Sequence, residues 1–324
     1  MSQPRILCTG ASGFIGTNLM DHLLENGAAV LNVDKQPPKK EEHNPYWADC
    51  NIMDYSRLEN IFQDFRPDYV IHLAARTDTN GKTLEEYFEN TSGTKNVLDA
   101  IRSTGGISRV VITSTQYVHR PGHLPENDED FEPHTVYGES KVITEKLTRS
   151  ARLDPIWTII RPTNIWGPWH PRYPHEFWAV LHRGLYLHPG RQRVMRSYGY
   201  VGNVVYQIGK ILGETPGVVS GKVYYVGDAP INLLDWTNGF SRAITGKNVR
   251  IVPRAVVGAA AQVGDFLSRF AIRFPITSSR FQSMTTDYLT PMSETLDVLG
   301  RPPFTLDNGI ARTVDWLRQY GYLG

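Results

Sequence analysis

The sequence predicts an α/β fold, a doubly wound parallel sheet followed by a smaller C-terminal region. Two observations carry this: short apolar runs alternate with amphipathic stretches as far as Arg161, and a glycine-rich turn joins the first run to the first stretch. A third sets the limit. From Pro162 onward the prolines of Trp166-Gly-Pro-Trp-His-Pro-Arg-Tyr-Pro-His175 bar a regular helix or a central strand. The expected division is 1–163 for the sheet region, with a return strand near 203–228, and 164–324 for the second region.

The first element is the apolar strand Arg5 to Thr9. The turn Gly10-Ala-Ser-Gly13-Phe14-Ile15-Gly16 follows, then a helix from Thr17 to Asn26 closed by Gly27. Gly10 permits the turn, Gly13 lets backbone N–H groups approach a pyrophosphate, and Gly16 allows close helix-strand packing. A second strand, Ala28 to Val33, ends in Asp34, about 20 residues past the glycines, where an acid accepts the two ribose hydroxyls of a dinucleotide. A 2′-phosphate there would meet like charge at ~4 kcal/mol, taking 4 Å and an effective dielectric of ~20. NAD is therefore expected over NADP, although the adjacent Lys35 pulls the other way. After a polar loop from Gln36 to Pro45 the alternation resumes. It gives a strand at Tyr69-Val-Ile-His-Leu73, a helix at Glu86 to Ser103, a strand at Arg109 to Thr113, a helix at Val136 to Leu153 and a strand at Trp157 to Arg161. Further on, Val223 to Val226 reads as a strand and Thr305 to Tyr320 as a terminal helix with Asp307 near its start.

The 324 residues are 40% hydrophobic, enough for a sizeable core, and net +1 without a basic block, which argues against nucleic acid as a partner. Cys8 and Cys50 show no CxxC or metal spacing and are expected as buried thiols; with no charged-then-apolar leader, cytoplasm is the default. No metal is expected: His170 and His175 lack a nearby cysteine or acidic cluster. With Trp166, Trp169, Arg172 and Trp178 they shape a pocket or pack a wall. Glu126 to Asp130 reads as a solvated loop. Ala255 to Leu267 is apolar but too short to span a bilayer and reads as a core helix, so no stable membrane insertion is expected. Phe266 to Phe274, with Arg269 and Arg273, offers the alternative of contact with a membrane surface.

Tyr137-Gly-Glu-Ser-Lys141 places a phenol and an amine on one helix face. With a reference pKa near ~10, only about one tyrosine in a thousand is ionised at neutral pH. A nearby ammonium, or a positive charge on a cofactor, favours the phenolate; a drop of three units corresponds to ~4 kcal/mol. By spacing alone such a pair is ordinary helix surface. The glycine turn upstream makes it a proton-transfer pair.

Together, TGASGFIG (Thr9 to Gly16), HLAA (His72 to Ala75), NTSGTKNVLDA (Asn90 to Ala100), TST (Thr113 to Thr115), YGESK (Tyr137 to Lys141) and RPTNIWGP (Arg161 to Pro168) resemble the extended short-chain dehydrogenase/reductase family. The branch is that of the NAD-dependent nucleotide-sugar epimerases and dehydratases. The resemblance covers nearly the whole chain and implies a Rossmann-type domain binding NAD. It implies that Thr115 hydrogen-bonds the reacting oxygen, that Tyr137 is the general acid or base, and that Lys141 binds the nicotinamide ribose. Asp49 is implied beside adenine, with Leu73, Ala74, Ala75, Asn90, Pro162 and Thr163 lining the dinucleotide. Gln116, Asn164, Arg196 and Arg280 are implied at the sugar nucleotide, the two arginines as diphosphate clamps. A homodimer formed through the helices at Glu86 to Ser103 and Val136 to Leu153 is the family expectation.

Three departures refine the reaction. Dehydratases of this branch carry an acidic pair after the hydroxyl residue, and decarboxylating relatives an acid, where this chain has Gln116 and Tyr117. Val118-His119-Arg120 replaces the usual Val-Tyr-Gly, and Asn203 stands where Asp is usual. What is left suffices for redox-neutral epimerisation at C4, which needs one tyrosine, one hydroxyl and retained NAD. The alternatives are a net NAD-dependent dehydrogenase or reductase, including the 3β-hydroxysteroid type, and a non-catalytic dinucleotide sensor. The last conflicts with the presence of both Tyr137 and Lys141.

Overall fold

The computed structural model describes residues 3–268, 270 and 276–323. These form two compact units, the first comprising residues up to Ile165 together with Gly199–Asp228 and Pro291–Pro303.

In the first unit the chain runs β1 (Arg5–Thr9), α1 (Phe14–Glu25), β2 (Ala29–Asp34), β3 (Trp47–Asp49), α2 (Tyr55–Phe65), β4 (Tyr69–His72), α3 (Thr94–Thr104), β5 (Arg109–Thr113), α4 (Val136–Ser150) and β6 (Ile156–Pro162). The strand Lys222–Val226, β7, completes a seven-stranded sheet in the order β7-β6-β5-β4-β1-β2-β3. Every pairing in it is parallel, for example Leu7 opposite Leu31 and Val70, and Tyr224 opposite Ile160. The doubly wound parallel sheet expected from the alternation is therefore present. Strand order reverses between β1 and β4, which opens a crevice past the carboxyl ends of these two strands. Helices cover both faces, and this explains why the strands are continuous apolar runs rather than alternating ones. Leu7, Val33, Leu58, Phe62, Val70, Ile112 and Ile159 are wholly buried in one core cluster.

Two elements differ from expectation. The helix expected from Glu86 begins in earnest only at Thr94; ahead of it lie a 3₁₀ turn, Leu84–Tyr87, and a π turn, Glu89–Gly93. The π turn turns Asn90 inward, where its amide accepts from Arg76 N (2.8 Å) and donates to Arg76 O and Ser140 Oγ (both 2.9 Å). The loop expected from Gln36 to Pro45 contains a 3₁₀ turn, Glu41–Tyr46, whose His43 is buried against Asp21. Cys8 and Cys50 are buried free thiols, as expected, and burial pushes the Cys8 thiol up to about 12.

The second unit comprises Trp166–Tyr198, Ala229–Thr290 and the chain from Phe304. Its core is aromatic: Trp166 meets Phe240 edge-on at 5.2 Å, and Phe177 stacks on Trp236 at 4.8 Å. Within the proline-rich stretch, His170 stacks on Tyr173 and its Nδ1 accepts the backbone N–H groups of Arg172 and Tyr173 (3.2 and 3.0 Å). Helices Arg254–Ser268 and Leu306–Gln319 belong here, the latter capped by Thr305 in a reciprocal box with Asn308.

Candidate active site

The glycine turn ties three strands together. Gly10 donates to Val33 O (2.9 Å) and Leu73 donates to Thr9 O (2.9 Å), so the turn is held between β2 and the end of β4. Gly10 has φ +77, and a Cβ there would run into the backbone of Ala74. Behind the turn, Thr9 Oγ1 and Thr94 Oγ1 bracket the imidazole of His72 at 2.7 and 3.1 Å. Burial, with help from the Lys141 charge, pushes His72 down to about 3, so it is a neutral strut.

Gly13 opens α1 and has no side chain with which to cap it. The first-turn amides of Phe14, Ile15 and Gly16 thus face the loop at the positive end of a helix, a cradle suited to a pyrophosphate. Asp34 ends β2. Its carboxylate accepts Ser12 N (3.1 Å) and Gln36 N (2.9 Å), fixing it beside the glycine turn. Burial raises its pKa, with those amides and Lys35 opposing. Lys35, which weakened the expectation of NAD, is 50% exposed and pairs with Glu89 at 3.1 Å. Asp49 is exposed on β3, directly opposite Asp34 in the register. Ala74 and Ala75 follow the end of β4, while Pro162 ends β6 and Thr163 follows it, where Thr163 N donates to Val226 O (3.0 Å). These donors and the acid fit NAD: a helix N-terminus for the diphosphate and a carboxylate for the ribose.

Tyr137 and Lys141 lie on α4, whose N-cap Thr135 accepts Gly138 N at 3.0 Å. Gly138 is required there, because a Cβ would collide with the carbonyl oxygen of Tyr117. This contact seats the start of α4 against the short 3₁₀ turn Gln116–Val118 that follows Thr115. Tyr137 and Lys141 are buried at 7% and 2% exposure. The Tyr137 ring lies between those of Tyr87 (6.1 Å) and Tyr117 (6.0 Å), with the Thr115 hydroxyl near its phenol. Burial raises its pKa, and the Thr115 hydroxyl is what opposes that rise. Lys141 donates to Thr113 O at 2.8 Å, and burial pushes its ammonium down to about 8 against the pull of Glu145. The amine was expected to lower the phenol; among the described residues that role falls to Thr115.

Sequence reasoning passed over the network beneath this pair. Glu145, one turn beyond Lys141, is fully buried and binds Arg161 by two bonds of 2.8 Å, with Ser114 Oγ donating at 2.6 Å. Arg161 reaches Tyr225 OH (3.3 Å), which contacts His119 Nδ1 at 2.8 Å. The i+4 spacing of Glu145 from Lys141 and the arginine opening RPTNIWGP were the available signals.

Of the expected substrate residues, Gln116 is buried beside Thr115 and Asn164 begins a short strand, both in the first unit. Arg196 is buried in the second unit; its guanidinium donates to Ser283 O (3.1 Å) and Thr286 O (3.3 Å), and its Nε has no partner among the described residues. Arg280 is half-exposed in the helix Ser278–Thr285 and pairs with Glu176 at 3.3 Å.

A 3-beta-hydroxysteroid dehydrogenase of Mycolicibacterium neoaurum is 26% identical, over 96% of this chain and 91% of its own length. The N-acetyl-alpha-D-glucosaminyl-diphospho-ditrans,octacis-undecaprenol 4-epimerase of Escherichia coli O157:H7 is 29% identical over 62% of this chain and 60% of its own. The crystal structure of a UDP-glucose 4-epimerase from Thermotoga maritima with UDP-glucose shares the fold. It superposes with a TM-score of 0.74 at 23% identity, over 98% of this chain and 99% of that one. With the model of the family matching residues 6–227, this chain belongs to the NAD dependent epimerase/dehydratase family.

Proposed function

We propose that the protein is an NAD-dependent epimerase that inverts C4 of a nucleotide-diphosphate sugar through a transient 4-ketone. The observation that carries the reading is the buried Tyr137, beside Thr115 and one turn before Lys141, in a site whose neighbouring positions, Gln116 and Tyr117, hold no carboxylate. Bound NAD supplies reversible acceptance of the C4 hydride. All proton movement falls to the chain. Tyr137 takes the proton of the C4 hydroxyl as the C4–H bond breaks, and returns it to the same oxygen when hydride is delivered to the opposite face. Thr115 donates to that oxygen throughout. Lys141, at the ribose, carries the positive charge that favours the phenolate once substrate is bound.

Gly10, Gly13, Phe14, Ile15 and Gly16 would hold the diphosphate of NAD, Asp34 its adenosine ribose and Asp49 the adenine. Leu73, Ala74, Ala75, Asn90, Pro162 and Thr163 would line the rest. Gln116, Asn164, Arg196 and Arg280 are assigned to the sugar nucleotide. The same reading takes the protein as a cytoplasmic homodimer, on the family resemblance.

A second reading, a net NAD-dependent dehydrogenase of a secondary alcohol, is favoured by the near-complete match to the 3-beta-hydroxysteroid dehydrogenase. Incubation with a panel of UDP-sugars, without added NAD, separates the two. An isobaric product supports epimerisation; a requirement for added NAD, with one NADH per product, moves the assignment to the dehydrogenase.

A further inference from the structure

Three cations pull against readings of the sequence. Arg269 and Arg273, with the membrane-surface alternative they serve, lie outside the described residues, among which no helix is long and apolar enough to cross a membrane. Lys35, beside the acid that ends β2, pulls against NAD, and the structure gives it a partner. Its Nζ donates to Glu89 Oε1 at 3.1 Å.

Glu89 is held for this contact. It opens the π turn Glu89–Gly93, a geometry that concentrates at functional positions. The next residue, Asn90, is pinned to Arg76 and Ser140 by three bonds of 2.8–2.9 Å. Those bonds set the turn past the carboxyl end of β4, while Lys35 follows β2, and β1 lies between the two strands. The pair thus links the ends of β2 and β4 past the glycine turn that follows β1. Glu89 is only 16% exposed, and its second oxygen, Oε2, is buried without a partner among the described residues. A carboxylate so far out of water gains more from a cation than a surface acid does, which ties Lys35 to it.

The consequence is a matter of charge. Lys35 already acts on Asp34, whose carboxyl its charge lowers against burial. Asp34 and Lys35 alone would cancel, and a 2′-phosphate beside them would meet no net repulsion. Glu89 restores the negative balance and engages the ammonium that would otherwise bond the phosphate. Asp49, opposite Asp34 in the register, adds to that balance. Lys40, further along the same loop, is taken up by Asp21 (2.7 Å) and Glu42 (2.9 Å). A 2′-hydroxyl carries no charge and is indifferent to all of this.

We propose that Glu89 is a specificity-determining residue for the cofactor: by pairing with Lys35 it denies the 2′-phosphate of NADP a cation and keeps the site selective for NAD. The proposal rests on the assignment of Asp34 to the adenosine ribose, and it holds for an epimerase and a dehydrogenase alike.

Competition between the two cofactors tests it. The full-length protein is equilibrated with equal excesses of NAD and NADP at low salt, freed of unbound nucleotide and denatured, and the released cofactors are counted by mass spectrometry. Glu89→Gln, which keeps the shape and removes the charge, is expected to raise the bound NADP:NAD ratio about tenfold. In Glu89→Gln/Lys35→Met the balance of charge returns to that of the parent, and the ratio is expected to fall back to within about twofold of the parent value. An unchanged ratio in Glu89→Gln, or a gain that survives in the double variant, overturns the proposal. Asp34→Ala separates this from a failure of the ribose assignment. A ratio that Asp34→Ala raises and Glu89→Gln does not removes Glu89 from the selection and leaves Asp34 at the ribose, whereas a ratio that neither raises overturns both.

Discussion

Tyr137 and Lys141 are driven toward their neutral forms by the same cause. Burial raises the phenol and pushes the ammonium down to about 8. Tyr137→Phe removes the phenol beside Thr115 and leaves the glycine turn and Asp34 intact. Turnover is expected to fall by about 10²–10⁴ or more, with NAD content, measured by mass spectrometry after denaturation, unchanged. Lys141 also leaves a signature in stability. Its folded pKa lies below its ordinary 10.5, so the unfolded chain binds more protons between about 8 and 10.5. The burial cost is therefore present below pH 8 and is relieved as pH rises through that window. Relative to Lys141→Met, the parent should gain stability between pH 7.5 and pH 9.5 in urea unfolding; a flat or opposite difference contradicts the assignment. Asp34→Ala should narrow the preference for NAD over NADP in binding titrations, because it removes the like charge that a 2′-phosphate would meet.

Pairings between elements explain departures that look arbitrary in the sequence. Asn203, where the family usually has Asp, lies in the helix Val201–Gly213 and donates to Asp228 Oδ1 at 2.7 Å; Asp228 also accepts Tyr200 N at 2.7 Å. Burial pushes Asp228 up to about 6, with both donors opposing. Asn203→Asp would set two buried carboxylates against each other, with an expected cost of ~3 kcal/mol at pH 7.5 that shrinks on acidification as one of them takes a proton. The swap Asn203→Asp/Asp228→Asn should restore most of that loss in thermal unfolding. Such partnerships were not legible beforehand, because residues 25 apart come together only through the fold. The same holds for Glu145 with Arg161, and for Asn90, whose inward turn depends on a π turn that propensity does not announce. Tyr137, Lys141, Thr115 and the glycines were legible because their roles follow from local spacing at the ends of strands.

At the scale of the molecule, the parallel sheet could be read from the alternation of buried runs and amphipathic stretches, and its strand order places the glycine turn, Asp34, Thr115 and Thr163 at strand carboxyl ends. The three-residue edge strand β3 was too short to show a pattern. Ala255 to Leu267, expected as a core helix, is buried on one stripe only; a run apolar on both faces does not tell which face has a partner. What unifies the fold and the site is a central claim, that one chain holds NAD through a redox-neutral cycle and returns the same hydrogen to C4. The direct test is a UDP-sugar carrying deuterium at C4, incubated with the purified protein without added NAD. The account predicts epimerised product that keeps its deuterium at C4. Deuterium found instead in NADH, with ketone released, would contradict it and establish a net dehydrogenase.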